Sequence, residues 1–96
     1  MKMVIIAYNE SMDSEVMDVL EHCALKNYTK LPSVFGKGTT SGSHQGTDIW
    51  PGKNNVLLVG CEDKDAKQLF SCVRNLKKKF SAEGIKGFIL PLEEIT

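Results

Sequence analysis

The sequence predicts an α+β domain whose strands and helices follow the order β-α-β-β-α-β. Two continuous apolar runs, residues 2–8 and 55–61, are typical of buried strands, and the segments between strands carry apolar residues at helical spacing. Two further strand-like segments, 28–36 and 87–92, each contain a proline. Because proline lacks the N–H group that a central strand needs, these two segments are expected at the edges of the sheet.

The first strand, residues 2–8, precedes an amphipathic helix. Asn9 or Ser11 is expected to cap this helix, and acidic side chains follow in its first turn, where a helix N-terminus favours anions. The helix is expected to run to about Lys26, with Asn27 as its stop signal. Its apolar stripe consists of Met12, Val16, Val19, Leu20 and Cys23.

The second half of the chain repeats this pattern after a glycine-rich connection at 36–54. Asp63 is expected to cap the second helix, the lysines at 77–79 stand in its last turn, and Gly84 follows near its end. The last strand covers residues 87–92. The apolar stripe of the second helix consists of Ala66, Leu69, Phe70, Val73, Leu76 and Phe80.

Together these elements predict a ferredoxin-like βαββαβ sandwich, with a four-stranded antiparallel sheet and two helices on one face. The first and third strands lie in its centre and the second and fourth at its rims, which agrees with the positions of the prolines. The second sheet face must meet water or a partner. Residues 1–96 are expected to form this single domain, with the 36–54 connection as its one long loop.

Composition excludes several classes of protein. The formal net charge is zero, so no overall field attracts nucleic acid or an anionic membrane. No apolar run has the length of a membrane span, and the N-terminal run lacks a small-residue cleavage site, so a cytoplasmic protein is expected. Cys23, Cys61 and Cys72 are odd in number and form no C-x-x-C pair. They are expected to be small core residues, without a disulfide framework.

The 36–54 connection is the most unusual segment of the sequence. It is rich in glycine, hydroxyl and amide groups, and it is much longer than an antiparallel pair of strands requires. Glycines let backbone amides approach a ligand closely, but no complete phosphate-binding fingerprint is present. The segment is therefore either a ligand or partner contact or a plain hairpin tip. Trp50 within it has three open roles: packing over the sheet, stacking on a ligand, or sealing a subunit interface.

Metal binding and catalysis are weaker alternatives. His44 and Asp48 offer only two ligands for a divalent metal, fewer than a metal site usually has. Glu93 and Glu94 have no partner for acid–base chemistry. The single arginine, Arg74, lies within a helix and not at a phosphate-cradling turn. The chain is therefore predicted not to be an enzyme.

Two segments resemble the nitrogen regulatory P-II proteins. Residues 34–38, VFGKG, resemble the segment where that family enters its long T-loop, and residues 86–95, KGFILPLEEI, are similar to its last core strand. The segment 41–55 is similar to the loop of P-II-like homologues that have diverged from nitrogen control. Residues 49–53, IWPGK, distantly resemble a hairpin of the divalent-cation-tolerance proteins, which makes metal binding of that type the alternative function.

The P-II resemblance implies a non-enzymatic regulatory homotrimer. Adenine nucleotides such as ATP, ADP or AMP would bind in clefts between subunits, and the T-loop would contact a target enzyme or membrane transporter. The ligand-binding residues implied by the resemblance are Gly36, Lys37, Gly38 and Lys86. The implied target-contact residues are His44, Gln45, Asp48 and Trp50. The loop contains no tyrosine, so the family's uridylylation site is missing, and residues 80–85 do not contain the family's phosphate-binding B-loop motif.

Overall fold

The computed structural model describes residues 1–37 and 53–96. The observed order of elements agrees with the predicted one. The elements are β1 (Lys2–Asn9), a short 3-10 turn (Glu10–Met12), α1 (Asp13–His22), β2 (Thr29–Val34), β3 (Asn54–Cys61), α2 (Asp63–Lys79) and β4 (Ile85–Pro91).

The four strands form one antiparallel sheet in the order β2-β3-β1-β4. The predicted ferredoxin-like α+β fold is therefore confirmed. The two proline-free strands, β1 and β3, occupy the centre, and the strands with Pro32 and Pro91 form the edges. Edge strands have one side without a sheet neighbour, so the missing proline N–H costs no ladder hydrogen bond there.

Alternate residues of the central strands face the helices and make the core. Val4, Ile6 and Tyr8 of β1 pair across the sheet with Val59, Leu57 and Asn55 of β3, and all six are buried. The helices cover them with apolar residues at three- and four-residue spacing, as the sequence predicted. The buried helix residues are Val16 and Leu20 of α1 and Ala66, Leu69 and Val73 of α2.

Helix α1 ends four residues earlier than the apolar stripe suggested. It stops at His22, and Ala24 adopts a left-handed conformation with φ of 56°. The Ala24 N–H bonds to the Glu21 carbonyl and the Leu25 N–H to the Leu20 carbonyl, both at 3.0 Å. This pattern is a Schellman motif, which reverses the chain before Lys26 is reached. Neither Ala24 nor Leu25 carries the glycine or asparagine signal that usually marks such an end.

The predicted helix caps are also displaced. The Asn9 carboxamide accepts the Ser11 N–H at 2.9 Å, so it caps the 3-10 turn and not α1. The N-cap position of α2 is Glu62, one residue before Asp63, and Glu62 makes no side-chain capping bond. The first turn of α2 carries Asp63 and Asp65. Their negative charges, and not a side-chain cap, stabilise the positive end of the helix dipole.

The face of the sheet opposite the helices, here called the open face, is apolar and only partly covered. The continuous apolar runs of the two inner strands suggested that these strands are buried on both sides. In this single chain they are not. Near Gly60, side chains of Leu92 and Ile95 from the C-terminal segment lie over the open face. The remaining apolar side chains of this face are Met3, Ile5, Ala7, Leu31, Val56, Leu58, Phe88 and Leu90, all half-buried or exposed.

In the described parts of the chain, neither helix combines the length and the apolar character that crossing a membrane requires.

Candidate functional site

The base of the long loop lies where several chain segments meet at one end of the sheet. Strand β2 ends there, β3 begins there, and β1 runs into the 3-10 turn at the same end. An open cavity of about 660 Å³ occupies this position. Its lining residues are Asn9, Glu10, Ser11, Asp13, Lys53 and Asn55. The lining is polar and carries both signs of charge, unlike the apolar sheet beside it.

Asp13 is the centre of the hydrogen-bond network at this end of the sheet. Its carboxylate accepts the Tyr8 hydroxyl at 2.6 Å and the Asn55 amide at 3.1 Å. The Lys30 ammonium group contacts both carboxylate oxygens, at 2.9 Å and 3.1 Å. One side chain at the start of α1 therefore ties together β1, β2 and β3.

The network changes the acidity of its members. Burial by itself raises the pKa of the Asp13 carboxyl group, but hydrogen bonds from Tyr8, Lys30 and Asn55 outweigh burial and place that pKa below its ordinary value. The pKa of the Tyr8 hydroxyl is raised well above its usual range, first by burial and then by its bond to Asp13. At neutral pH, Asp13 is therefore an anion and Tyr8 a neutral hydrogen-bond donor.

The same network fixes the irregular end of β2. The register between β2 and β3 shifts between Leu31 and Val34, and Ser33 within this bulge has a φ of 54°. The Asn55 side-chain oxygen accepts the Ser33 N–H at 3.2 Å, so the bulge has a specific anchor on β3. Bulges re-aim the chain at the rim of a sheet. Here the bulge sets the direction in which the chain leaves β2 toward the loop.

Backbone hydrogen bonds join the far side of the loop to the rest of the base. The Glu10 N–H bonds to the Lys53 carbonyl at 2.8 Å, and the Asn9 N–H bonds to the Gly84 carbonyl at 2.9 Å. The Ser11 hydroxyl lies 3.4 Å from a carboxylate oxygen of Glu83. The 3-10 turn thus contacts both the return of the loop and the segment before β4.

Gly36 is packed closely against the start of β3. A Cβ atom at this position would stand 2.9 Å from the Asn54 side-chain nitrogen, a separation that would force Asn54 to move. Glycine therefore lets the outgoing strand pass beside Asn54. Lys37 follows directly and is exposed.

The other predicted ligand residue in the described chain, Lys86, lies elsewhere. It is exposed on β4 and pairs with Ala7, so it belongs to the open face. Gly36 and Lys37 follow β2, which forms the opposite edge of the sheet. Three strand spacings of about 4.8 Å separate the two edges, roughly 14 Å. Within one chain, Lys37 and Lys86 stand at the same end of the sheet but are not brought together.

The remaining predicted contacts fall outside the described residues. They are Gly38, His44, Gln45, Asp48 and Trp50. The predicted metal ligands are among them. Within residues 1–37 and 53–96, no group of three or more histidine, cysteine, aspartate or glutamate side chains is arranged to hold a metal ion.

The network around Asp13 was not identified from the sequence. Tyr8 and Asn55 each stand in or beside an apolar strand run, where a buried hydroxyl or amide needs a hydrogen-bond partner. The need of these two buried groups for hydrogen-bond partners is the feature of the sequence that could have revealed the network. The identity of the partners depends on the register between β1, β2 and β3, which the sequence pattern does not specify to the residue.

The fold and the loop base together define the class of protein. It is a ferredoxin-like α+β domain in which a polar, hydrogen-bonded loop base lies beside the apolar open face of the sheet. The sequence model of the family described as nitrogen regulatory protein P-II matches residues 1–96. The chain therefore belongs to the P-II family.

Solved structures agree with this assignment at the level of the fold. CPII from Thiomonas intermedia, bound to ADP and bicarbonate, is similar with a TM-score of 0.69 and 18% identity, covering 93% of this chain and 82% of that chain. The same protein bound to ADP, AMP and bicarbonate gives 0.68 and 14%, with 99% and 94% covered. A PII-like protein from Thermus thermophilus gives 0.62 and 19%, with 93% and 83% covered. No curated protein matches this chain.

Proposed function

We propose that this chain is a non-enzymatic P-II-like signalling protein that binds an adenine nucleotide in clefts between the subunits of a homotrimer. The observation that carries the proposal is the placement of Lys37 and Lys86 at opposite edges of the sheet. Within one subunit, roughly 14 Å separates the edge strand that carries Lys86 from the edge strand that precedes Lys37. When a neighbouring subunit packs on the open face, one of its edge strands lies beside the opposite edge strand of the first subunit. Lys37 of one subunit and Lys86 of the other then both contact one polyphosphate.

The open face supports assembly. Both helices lie on one side of the four-stranded sheet, so the other side has no helix over it, and that side is mostly apolar. Phe88 and Leu90 on this face are each 46% exposed, and Leu31 is 45% exposed. Contiguous exposed apolar side chains mark interaction sites, and three copies around an axis would cover all three open faces equally.

The loop base supports a signalling role. The chain from 36 to 54 leaves and returns through a base whose members are hydrogen-bonded to each other and to the segment before β4. A ligand at the cleft contacts Gly36, Lys37 and Gly38 and thereby biases the conformations of the loop. His44, Gln45, Asp48 and Trp50 then contact a target protein, such as a transporter or enzyme, on the cytoplasmic side. In this proposal residues 1–96 act as one domain.

ADP is the first ligand to test, because related CPII structures hold ADP, three of them with AMP as well. The experiment is a thermal-shift series with ADP, AMP and ATP, each with and without Mg²⁺, beside Zn²⁺ and Cu²⁺ alone. A ligand at a hundredfold its Kd stabilises by about 2.7 kcal/mol, which moves Tm by several degrees in a domain of this size.

We expect a shift with adenine nucleotides that Lys37→Ala reduces and Lys26→Ala, at an exposed position outside the site, leaves intact. A shift with metal ions alone would contradict the nucleotide proposal and favour the cation-binding alternative. The absence of any nucleotide shift at millimolar concentration would also contradict it.

A further inference from the structure

Two cysteines far apart in sequence lie side by side between the helices. Cys23 stands at the C-cap of α1 and Cys72 within α2, and their sulfur atoms are 4.0 Å apart. Both are free thiols. Cys23 is buried and Cys72 half-buried. The nucleotide proposal uses neither residue, and both belong to the helix side of the sheet, away from the open face.

We propose that Cys23 and Cys72 form a reversible intrachain disulfide when hydrogen peroxide oxidises the protein. A disulfide needs a sulfur–sulfur bond of about 2.05 Å, so the two sulfurs must close by roughly 2 Å. Side-chain rotation at the half-buried Cys72 and at the helix-terminal Cys23 supplies movement of this size. Cys23 still donates its N–H to the Val19 carbonyl at 3.0 Å, but it is the C-cap of α1, and residue 24 has left the helical conformation.

The chemistry proceeds in two balanced steps. The more accessible Cys72 thiolate attacks one peroxide oxygen; an S–O bond forms, the O–O bond breaks, and the departing hydroxide takes up a proton to become water. The Cys23 thiol then attacks the sulfur of this sulfenic acid; the S–S bond forms, the S–O bond breaks, and the departing hydroxide takes up the Cys23 proton to become a second water molecule. The two thiols lose two electrons in total, and the peroxide gains them.

The surroundings of the two thiols determine which one attacks the peroxide first. Burial, with the neighbouring Cys72 as a smaller cause, raises the pKa of the Cys23 thiol to about 11, so Cys23 is a poor first nucleophile. The adjacent sulfenic sulfur is held within reach, which favours attack by Cys23 over attack by a thiol from solution. The third thiol, Cys61, is buried at the end of β3, and burial also raises its pKa. It serves as the matched control.

The resulting bond closes a loop between two positions 49 residues apart. A cross-link over this length restricts the unfolded chain strongly, and so it stabilises the folded domain. The disulfide therefore braces α1 against α2 under oxidising conditions and releases them under reducing conditions.

The test uses the full chain, treated under native conditions with dilute hydrogen peroxide and then blocked with iodoacetamide. Trypsin separates the three cysteines, since Cys23 falls in peptide 3–26, Cys61 in 54–64 and Cys72 in 68–74. We expect a linked pair of peptides 3–26 and 68–74, an intact chain lighter by two hydrogen atoms, and a single alkylated thiol at Cys61. Dithiothreitol added after the peroxide and before the iodoacetamide should restore three free thiols.

The Cys61→Ser variant should form the same link, and Cys72→Ser should not. The oxidised wild type should melt several degrees above the reduced protein, a difference that Cys72→Ser lacks. A link that includes Cys61, a link between chains, or a sulfinic acid at Cys72 without any link would overturn the proposal.

Discussion

Asp13 shows how a single side chain organises the loop base. It is the shared acceptor for a strand hydroxyl, a strand amide and a lysine from the edge strand, and these donors come from three different strands. Tyr8 is only 1% exposed, so its hydroxyl depends on a protein partner, and Asp13 is that partner. The hydrogen bonds and the ion pair to Asp13 therefore favour a folded state in which the ends of β1, β2 and β3 are held in one fixed arrangement.

Replacing Asp13 with asparagine should destabilise the protein. The variant keeps one acceptor for Tyr8 but turns an amide donor toward the Lys30 ammonium group. Because the Asp13 side chain is 36% exposed, solvent screens part of the loss, and we expect about 1–2 kcal/mol in urea unfolding. Asp18→Asn on the exposed surface of the same helix is the control, with an expected change below about 0.5 kcal/mol.

The same variant should remove a pH dependence. The folded-state pKa of Asp13 is below its ordinary value of 3.8, so its stabilisation is complete above that value and is lost as pH falls through the lower folded pKa. The stability difference between wild type and Asp13→Asn should therefore shrink below about pH 4. A difference that persists unchanged into strongly acidic solution would contradict this role for Asp13.

At the scale of elements, the sequence predicted which strands are central and which are edges, because proline and apolar content are local properties. It did not predict the end of α1. The helix was expected to run to about Lys26, but Leu25 packs against the core after the chain has already left the helix at Ala24. Hydrophobic spacing records which residues are buried, and a Schellman turn buries its last apolar residue without helical backbone.

This turn gives a direct stability prediction. Ala24 has a left-handed backbone, which costs a residue with a Cβ about 1 kcal/mol and glycine almost nothing. Ala24→Gly should therefore raise the free energy of unfolding by about 0.5–1 kcal/mol, measured by urea titration. Ala82→Gly, at an exposed position where no positive φ occurs, should not stabilise. A destabilising effect of Ala24→Gly would show that the left-handed turn is not present in solution.

For the whole molecule, the sequence predicted the ferredoxin-like arrangement and left one sheet face to water or a partner. The structure places the apolar side chains of that face, and it puts Lys86 on one edge strand and Lys37 just beyond the end of the other. No sequence pattern contains that separation, because it follows from the strand order and not from local spacing. The interpretation of the site as shared between subunits depends on this long-range geometry.

Disruption of the open face should separate the subunits. Phe88 is 46% exposed on an edge strand, so Phe88→Glu places a charge in the proposed interface with little effect on the monomer core. Light scattering should give about three times the chain mass of 10.6 kDa for wild type and about the chain mass for this variant. Ser71→Glu adds the same charge on exposed α2 and should remain trimeric. A wild-type monomer at micromolar concentration would refute the assembly.

The most direct test of the central claim is ADP binding to trimers assembled from a mixture of Lys37→Ala and Lys86→Ala subunits, measured by calorimetry. Each single variant alone lacks one cation in every cleft and should bind weakly. In mixed trimers, some clefts combine Lys86 of a Lys37→Ala subunit with Lys37 of a Lys86→Ala subunit, and these clefts are complete. We predict that mixing restores wild-type affinity at a fraction of the sites. Binding that stays as weak in the mixture as in each variant would contradict a nucleotide site shared between subunits.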